Sequence, residues 1–158
     1  MKEKVLSYIK DVLEVPRDEY GGMSACPFAK KERESNQIYI DTLSETNDFI
    51  VCMHKFIESN KNSAVFIQSG ELGERNTKKY QKFLNNILKA LDLSNWKVLC
   101  INPNDNLKVD GFNARSLAPC FMILINDKKD IYYAHKNMQN TKYYDKMDPK
   151  YKKYLGIK

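Results

Sequence analysis

The sequence predicts a single α/β domain, a central mixed sheet flanked by helices, and three observations predict it. Apolar periodicity alternates between helical and strand-like segments along the chain. Two late runs, Trp96 to Ile101 and Cys120 to Ile125, are apolar without alternation, as strands covered on both faces require. The chain, 158 residues and 42% apolar, supplies one core and shows no repeat, linker or compositional break.

From Lys2 to Leu13 the apolar positions Val5, Leu6, Ile9, Val12 and Leu13 follow helical spacing, and Val15-Pro16 ends the helix because a residue before proline avoids the helical region. A long connection follows, Arg17 to Asn36, in which Pro27 to Glu34 supplies a short helix with Pro27 at its first position. Residues 1–36 thus carry a helix and a long loop. Ile38 and Ile40 alternate with Tyr39 and Asp41 from Gln37 to Thr42, the pattern of a half-covered strand.

Thr46 to Ser59 reads as a helix with the stripe Phe49, Ile50, Met53, Phe56 and Ile57, capped by Ser44 or Thr46 and with Asp48 near its positive end. Ala64 to Ile67 is a short buried strand. Thr77 to Leu91 is a third amphipathic helix with Tyr80, Phe83, Leu84, Ile87, Leu88 and Leu91 inward. After the strand Cys120 to Ile125, the turn Asn126-Asp127-Lys128-Lys129 predicts a hairpin to a last strand, Asp130 to His135. Residues 137–158 form a helical tail, in which Asp148-Pro149 starts a helix through Leu155.

From Gln37 onward this order is similar to the thioredoxin-like order, and Leu117-Ala118-Pro119 before a buried strand looks like that fold's cis-proline turn. No cysteine pair follows either early strand, so disulfide exchange is not expected. A ferredoxin-like α+β sandwich is the alternative, disfavoured because its second and third strands form a hairpin where this chain has a long amphipathic helix.

No run reaches about 18 apolar residues, and charged residues interrupt the first helix, so neither a membrane span nor a signal peptide is expected and the cytoplasm is the expected compartment. The four cysteines, Cys26, Cys52, Cys100 and Cys120, lie far apart with no C-x-x-C pair, which predicts free thiols and no zinc knuckle. Cys52 and His54 sit about 200° apart around a helix and cannot share an ion. His135 reads as a solvated group at a strand end. No metal and no cofactor are expected. The net charge of +6 comes from 26 basic against 20 acidic residues, a mixed surface that attracts anions without specifying nucleic acid.

The segment with the most chemistry is Gly21-Gly22-Met23-Ser24-Ala25-Cys26-Pro27-Phe28-Ala29-Lys30-Lys31. Cys26 before a proline-started helix faces unpaired backbone amides, and Lys30 and Lys31 add positive charge, conditions that favour a thiolate. Arg115 and Ser116 precede an inner strand, where α/β sheets place ligand groups, and an arginine can hold a carboxylate or phosphate bidentately. Either residue also has a plain structural use, a buried thiol in one case and a loop-tying guanidinium in the other. Ser69 to Arg75 has two glycines but no Lys-Ser/Thr of a phosphate loop, and reads as a polar turn.

Cys26-Pro27-Phe28-Ala29-Lys30, together with Asn113-Ala114-Arg115-Ser116-Leu117-Ala118-Pro119-Cys120-Phe121, resembles a bacterial domain family of unknown function. Its members carry Cys-Pro-Phe-Ala-Lys/Arg early and an Asn-Arg-Ser-Pro-x-Pro turn late. Here Ala114 is inserted and Leu117 replaces the first proline. Ile101-Asn102-Pro103 is similar to that family's Phe-His-Pro, with the histidine lost. The resemblance spans roughly Cys26 to Asp130 and singles out residues, not a reaction.

The expected function is a small-molecule binding protein or enzyme for an anionic ligand. Its pocket would gather Cys26 as reactive or polar anchor, Lys30 and Arg115 as anion clamp, Ser116 beside them, and Pro119 as a fixed wall. The alternative is a basic RNA- or protein-binding module using the tail, where Tyr143, Tyr144, Tyr151 and Tyr154 interleave with Lys142, Lys146, Lys150, Lys152 and Lys153. That spacing also suits a helix docked on the domain with its lysines outward.

Overall fold

The computed structural model describes residues 1–69, 74–155 and 157, without the side chains of residues 74, 75, 154 and 155. Four strands, β1 (Ile38–Thr42), β2 (Ser63–Gln68), β3 (Trp96–Ile101) and β4 (Phe121–Asp127), form one sheet in the order β1-β2-β4-β3. β1 and β2 are parallel, and β4 runs antiparallel between β2 and β3. The first three strands therefore end at the same edge, where β4 begins.

Period-two alternation divides the strand residues between two layers. Ala64, Phe66, Val98, Cys100, Phe121, Ile123 and Ile125 face one layer, in which α3 (Phe49–Glu58) and α4 (Glu74–Ala90) bury Met53, Phe56, Leu84 and Leu88. Asp48, rather than Ser44 or Thr46, caps α3 by accepting from Val51 N at 3.0 Å. Val65, Ile67, Ile101 and Met122 face the other layer, covered by α1 (Lys2–Tyr8), its π-helical continuation Ile9–Leu13, and α2 (Ala29–Glu34). The order of strands and helices expected from Gln37 to Ile125 is found. No helix among the described residues is long and apolar enough to cross a membrane.

β3 is an edge strand, and its outward backbone is satisfied by side chains instead of a further strand. Asn85 of α4 donates to Val98 O at 3.1 Å and accepts from Val98 N at 2.9 Å, while Gln81 Oε1 accepts from Cys100 N at 2.8 Å. Arg115 Nη1 donates to Cys100 O at 2.9 Å. These contacts occupy groups that would otherwise offer a pairing edge.

Three expectations need correction. Residues 130–135 are not a strand: Lys128–Met138 is a helix, α5, started by Asp127, which accepts from Lys129 N at 2.7 Å. Ile131, Ala134 and Met138 recur at helical spacing, and Ala134 and Met138 are buried, so packing of one helical face prevails over the strand preference of Ile-Tyr-Tyr. Leu117-Ala118-Pro119 contains no cis peptide bond. The helix expected from Pro27 starts at Ala29.

A third apolar cluster joins the long first loop to the tail. Tyr20, Val109, Ala134, Met138, Tyr143, Tyr144 and Met147 pack together, the last two tyrosines meeting edge-on. The loop closes on itself at a Pro16–Ser24 bridge. Gly21, at φ 65°, lies flat against the backbone of Lys142. The tail ends in α6 (Pro149–Leu155).

Candidate functional site

Cys26 sits at the exit of the closed loop. Its N–H donates to Leu13 O at 3.0 Å and its carbonyl accepts from Ala29 N at 3.2 Å, which pins the loop to the first helix and to the start of α2. Cys26 is half-buried and packs against the apolar layer beneath α1. Burial pushes the Cys26 thiol up from its ordinary value; backbone amides of Phe28 and Ala29 favour the thiolate as expected, but the carboxylates of Glu14 and Glu32 oppose it. Burial outweighs the amides. Cys26 should therefore react with a disulfide reagent such as DTNB at pH 8 more slowly than free glutathione does, and denaturation should abolish the difference. Fast native labelling confined to Cys26 would contradict this environment.

Arg115 lies in a turn before β4 with its side chain only 5% exposed, and its Nη1 donates to Asp105 Oδ2 at 2.9 Å as well as to Cys100 O. Asp105 is equally buried. Around this pair Asn113 donates to Asp105 O at 2.7 Å and accepts from the N–H groups of Arg115 and Ser116 at 3.1 and 3.2 Å. Asn102 donates to the buried Thr77 hydroxyl at 2.9 Å. The loop between β3 and β4 is thus a closed polar network, and the guanidinium expected to clamp a ligand is held by protein groups. Ser116 is exposed, with its hydroxyl donating to Asn113 O at 2.8 Å, and Pro119 is half-buried.

The two loops do approach one layer of the fold. Cys26, Ala118 and Cys120 share the apolar cluster under α1, and Tyr8 of α1 donates its hydroxyl to Ala114 O at 2.9 Å. The Tyr8 phenol lies within electrostatic reach of both Arg115 and Cys26. What joins the loops is packed side chain rather than open volume.

Open volume lies along α2, which follows Cys26 in the chain. Pro27, Lys30, Lys31, Glu34 and Ser35 line a shallow groove of about 510 Å³ along α2. Lys30 and Lys31 are exposed. Arg33 forms two hydrogen bonds with Glu14 at 2.6 and 3.0 Å that hold α2 against the first helix. Of the expected site residues, the structure places Lys30 at this groove with Cys26 next to it in sequence, and Arg115, Ser116 and Pro119 on the other loop.

Comparison with family models, curated proteins and solved structures found no match.

The tail differs from a stacking surface. Tyr143 and Tyr144 are buried, and the Tyr143 hydroxyl donates to Ala25 O at 2.6 Å, so these rings fix the Cys26 loop and offer no face to a base. Tyr151 is half-buried in the same cluster, and the side chain of Tyr154 lies outside the described residues. Lys146 pairs with Asp110 at 3.0 Å. His135, expected in solvent, is half-buried on α5, where it is hydrogen-bonded through Nδ1 to the Tyr144 hydroxyl, and burial followed by the charge of Lys97 lowers its pKa. Within Ser69 to Arg75, residues 70–73 and the side chains of 74 and 75 lie outside the described residues. No group of three or more metal-ligating side chains occurs among the described residues.

Sequence reading missed Asp105, Glu14 and Tyr8 as partners. Asp105 carried a faint signal, an acidic residue in a loop shared with an arginine. Tyr8 carried none, because its bond spans 106 positions.

Proposed function

We propose that the protein binds a small anionic molecule along α2, with Lys30 and Lys31 as its cationic contacts. The groove lined by Pro27, Lys30, Lys31, Glu34 and Ser35 carries this reading, because it sets two exposed lysines on one open surface beside the Cys26 segment. An ammonium attracts a phosphate or carboxylate as a point charge without demanding a fixed fork, which suits a shallow site. Pro27 lines that surface, and Cys26 precedes it in the chain. Arg115, Ser116 and Pro119 do not line this groove and have no part in the reading. The reading is binding, and it includes no reaction: the raised Cys26 thiol supplies no ready nucleophile.

Isothermal titration of the full chain with inorganic phosphate, citrate and a nucleoside monophosphate tests it. Binding of at least one, weakened about tenfold or more by Lys30→Ala with Lys31→Ala, is the expected result. The same affinity in that double variant would overturn it.

A further inference from the structure

α5 presents two exposed aromatic rings and two lysines to solvent on one face. At 100° per residue, Lys129, Tyr132, Tyr133 and Lys136 fall within one strip opposite the buried Ala134 and Met138. Tyr132 is 62% exposed and Tyr133 58%, and their rings meet edge to face with centroids 5.6 Å apart. Both lysines are exposed and neither joins an ion pair in the described residues. Lys128 adds a third cation at the margin, and the positive charge there is crowded: burial, then Lys128, holds the half-buried Lys97 below its ordinary range. Asp130 lies at the opposite margin of the strip.

The geometry points to a binding face for single-stranded nucleic acid on α5, with Tyr132 and Tyr133 stacking on bases and Lys129 and Lys136 holding the flanking phosphates. Every base offers a π-face to an exposed aromatic ring, and each phosphate is a fixed anion spaced along a flexible strand. A protein partner fits less well. The strip has no aliphatic residue to bury, and its ring hydroxyls and ammonium groups favour a polyanion with flat apolar faces. This face lies on a different helix from the α2 groove and does not depend on it.

Fluorescence anisotropy with labelled oligo(U) and oligo(dT) of about 12 nucleotides, titrated with the full chain at low salt, tests the proposal. Binding to one or both is expected; the tighter strand names the natural class. Tyr132→Ala with Tyr133→Ala should weaken it at least about tenfold. Lys129→Ala with Lys136→Ala should make the plot of log K against log salt shallower by about 1.4. Unchanged thermal midpoints in these surface variants show that the fold is kept. No binding by the unaltered chain, equal binding by the tyrosine double variant, or equal displacement by a duplex or by polyglutamate would overturn the proposal.

Discussion

Arg115→Met is expected to cost about 3–5 kcal/mol of stability, because it leaves the Asp105 carboxylate buried without its counter-ion and Cys100 O on the sheet edge without its donor. Set against a total stability of about 5–15 kcal/mol, the variant is at the border of folding. Urea unfolding of the single variants and of Arg115→Met with Asp105→Asn measures the effect. Removing both charges should recover part of the loss, since the penalty of a lone buried charge disappears, and the two sites should be coupled by more than about 1 kcal/mol. A stable Arg115→Met that has lost anion binding would instead make Arg115 the ligand clamp.

Gly21→Ala is expected to loosen the tail from the Cys26 loop at a cost of about 2–4 kcal/mol. A Cβ there would stand 2.6 Å from the carbonyl carbon and oxygen of Lys142, and a φ of 65° already disfavours a side chain. Neither neighbour is the far end of a flexible side chain, so the backbone itself must move. Gly22→Ala is the control: it shares the positive φ, at 84°, but a Cβ there meets nothing within 4 Å. Its cost should be about 1–2 kcal/mol. Thermal unfolding ranks the two, each kcal/mol being worth about 2–4 °C in a chain of this length. Equal shifts would mean that the packing against Lys142 contributes nothing.

The fold was legible where the physics is local. The stripe Phe49, Ile50, Met53, Phe56 and Ile57 and the runs Trp96 to Ile101 and Cys120 to Ile125 located α3, β3 and β4 through their spacing, although Ile50 and Ile57 are exposed. The segment 130–135 misled because Ile-Tyr-Tyr has strand propensity, while the period set by Ile131, Ala134 and Met138 extends beyond that segment. The tail tyrosines misled for a related reason. Alternating tyrosine and lysine is consistent with a nucleic-acid surface or with a docked turn, and only the position of Tyr20 and Ala25, more than 100 residues earlier, decides that Tyr143 is buried.

The site was legible as a set of unusual residues but not as a geometry. Arg115 stood out because arginine before an inner strand serves ligands or loops. The choice depended on Asp105 and on the free edge of β3, which exists only once β4 is inserted between β2 and β3. Cys26 stood out for its proline and lysines, but what acts on its thiol is burial first, then the amides of Phe28 and Ala29 against the carboxylates of Glu14 and Glu32.

The claim that an anion is held by α2 rather than by the β3–β4 loop is tested most directly by following backbone amide resonances during titration with the tightest of the anions above. Shifts concentrated at residues 27–35, with 113–119 unmoved, are the predicted result. Shifts centred on Arg115 and Ser116, with Lys30 and Lys31 unmoved, would contradict it.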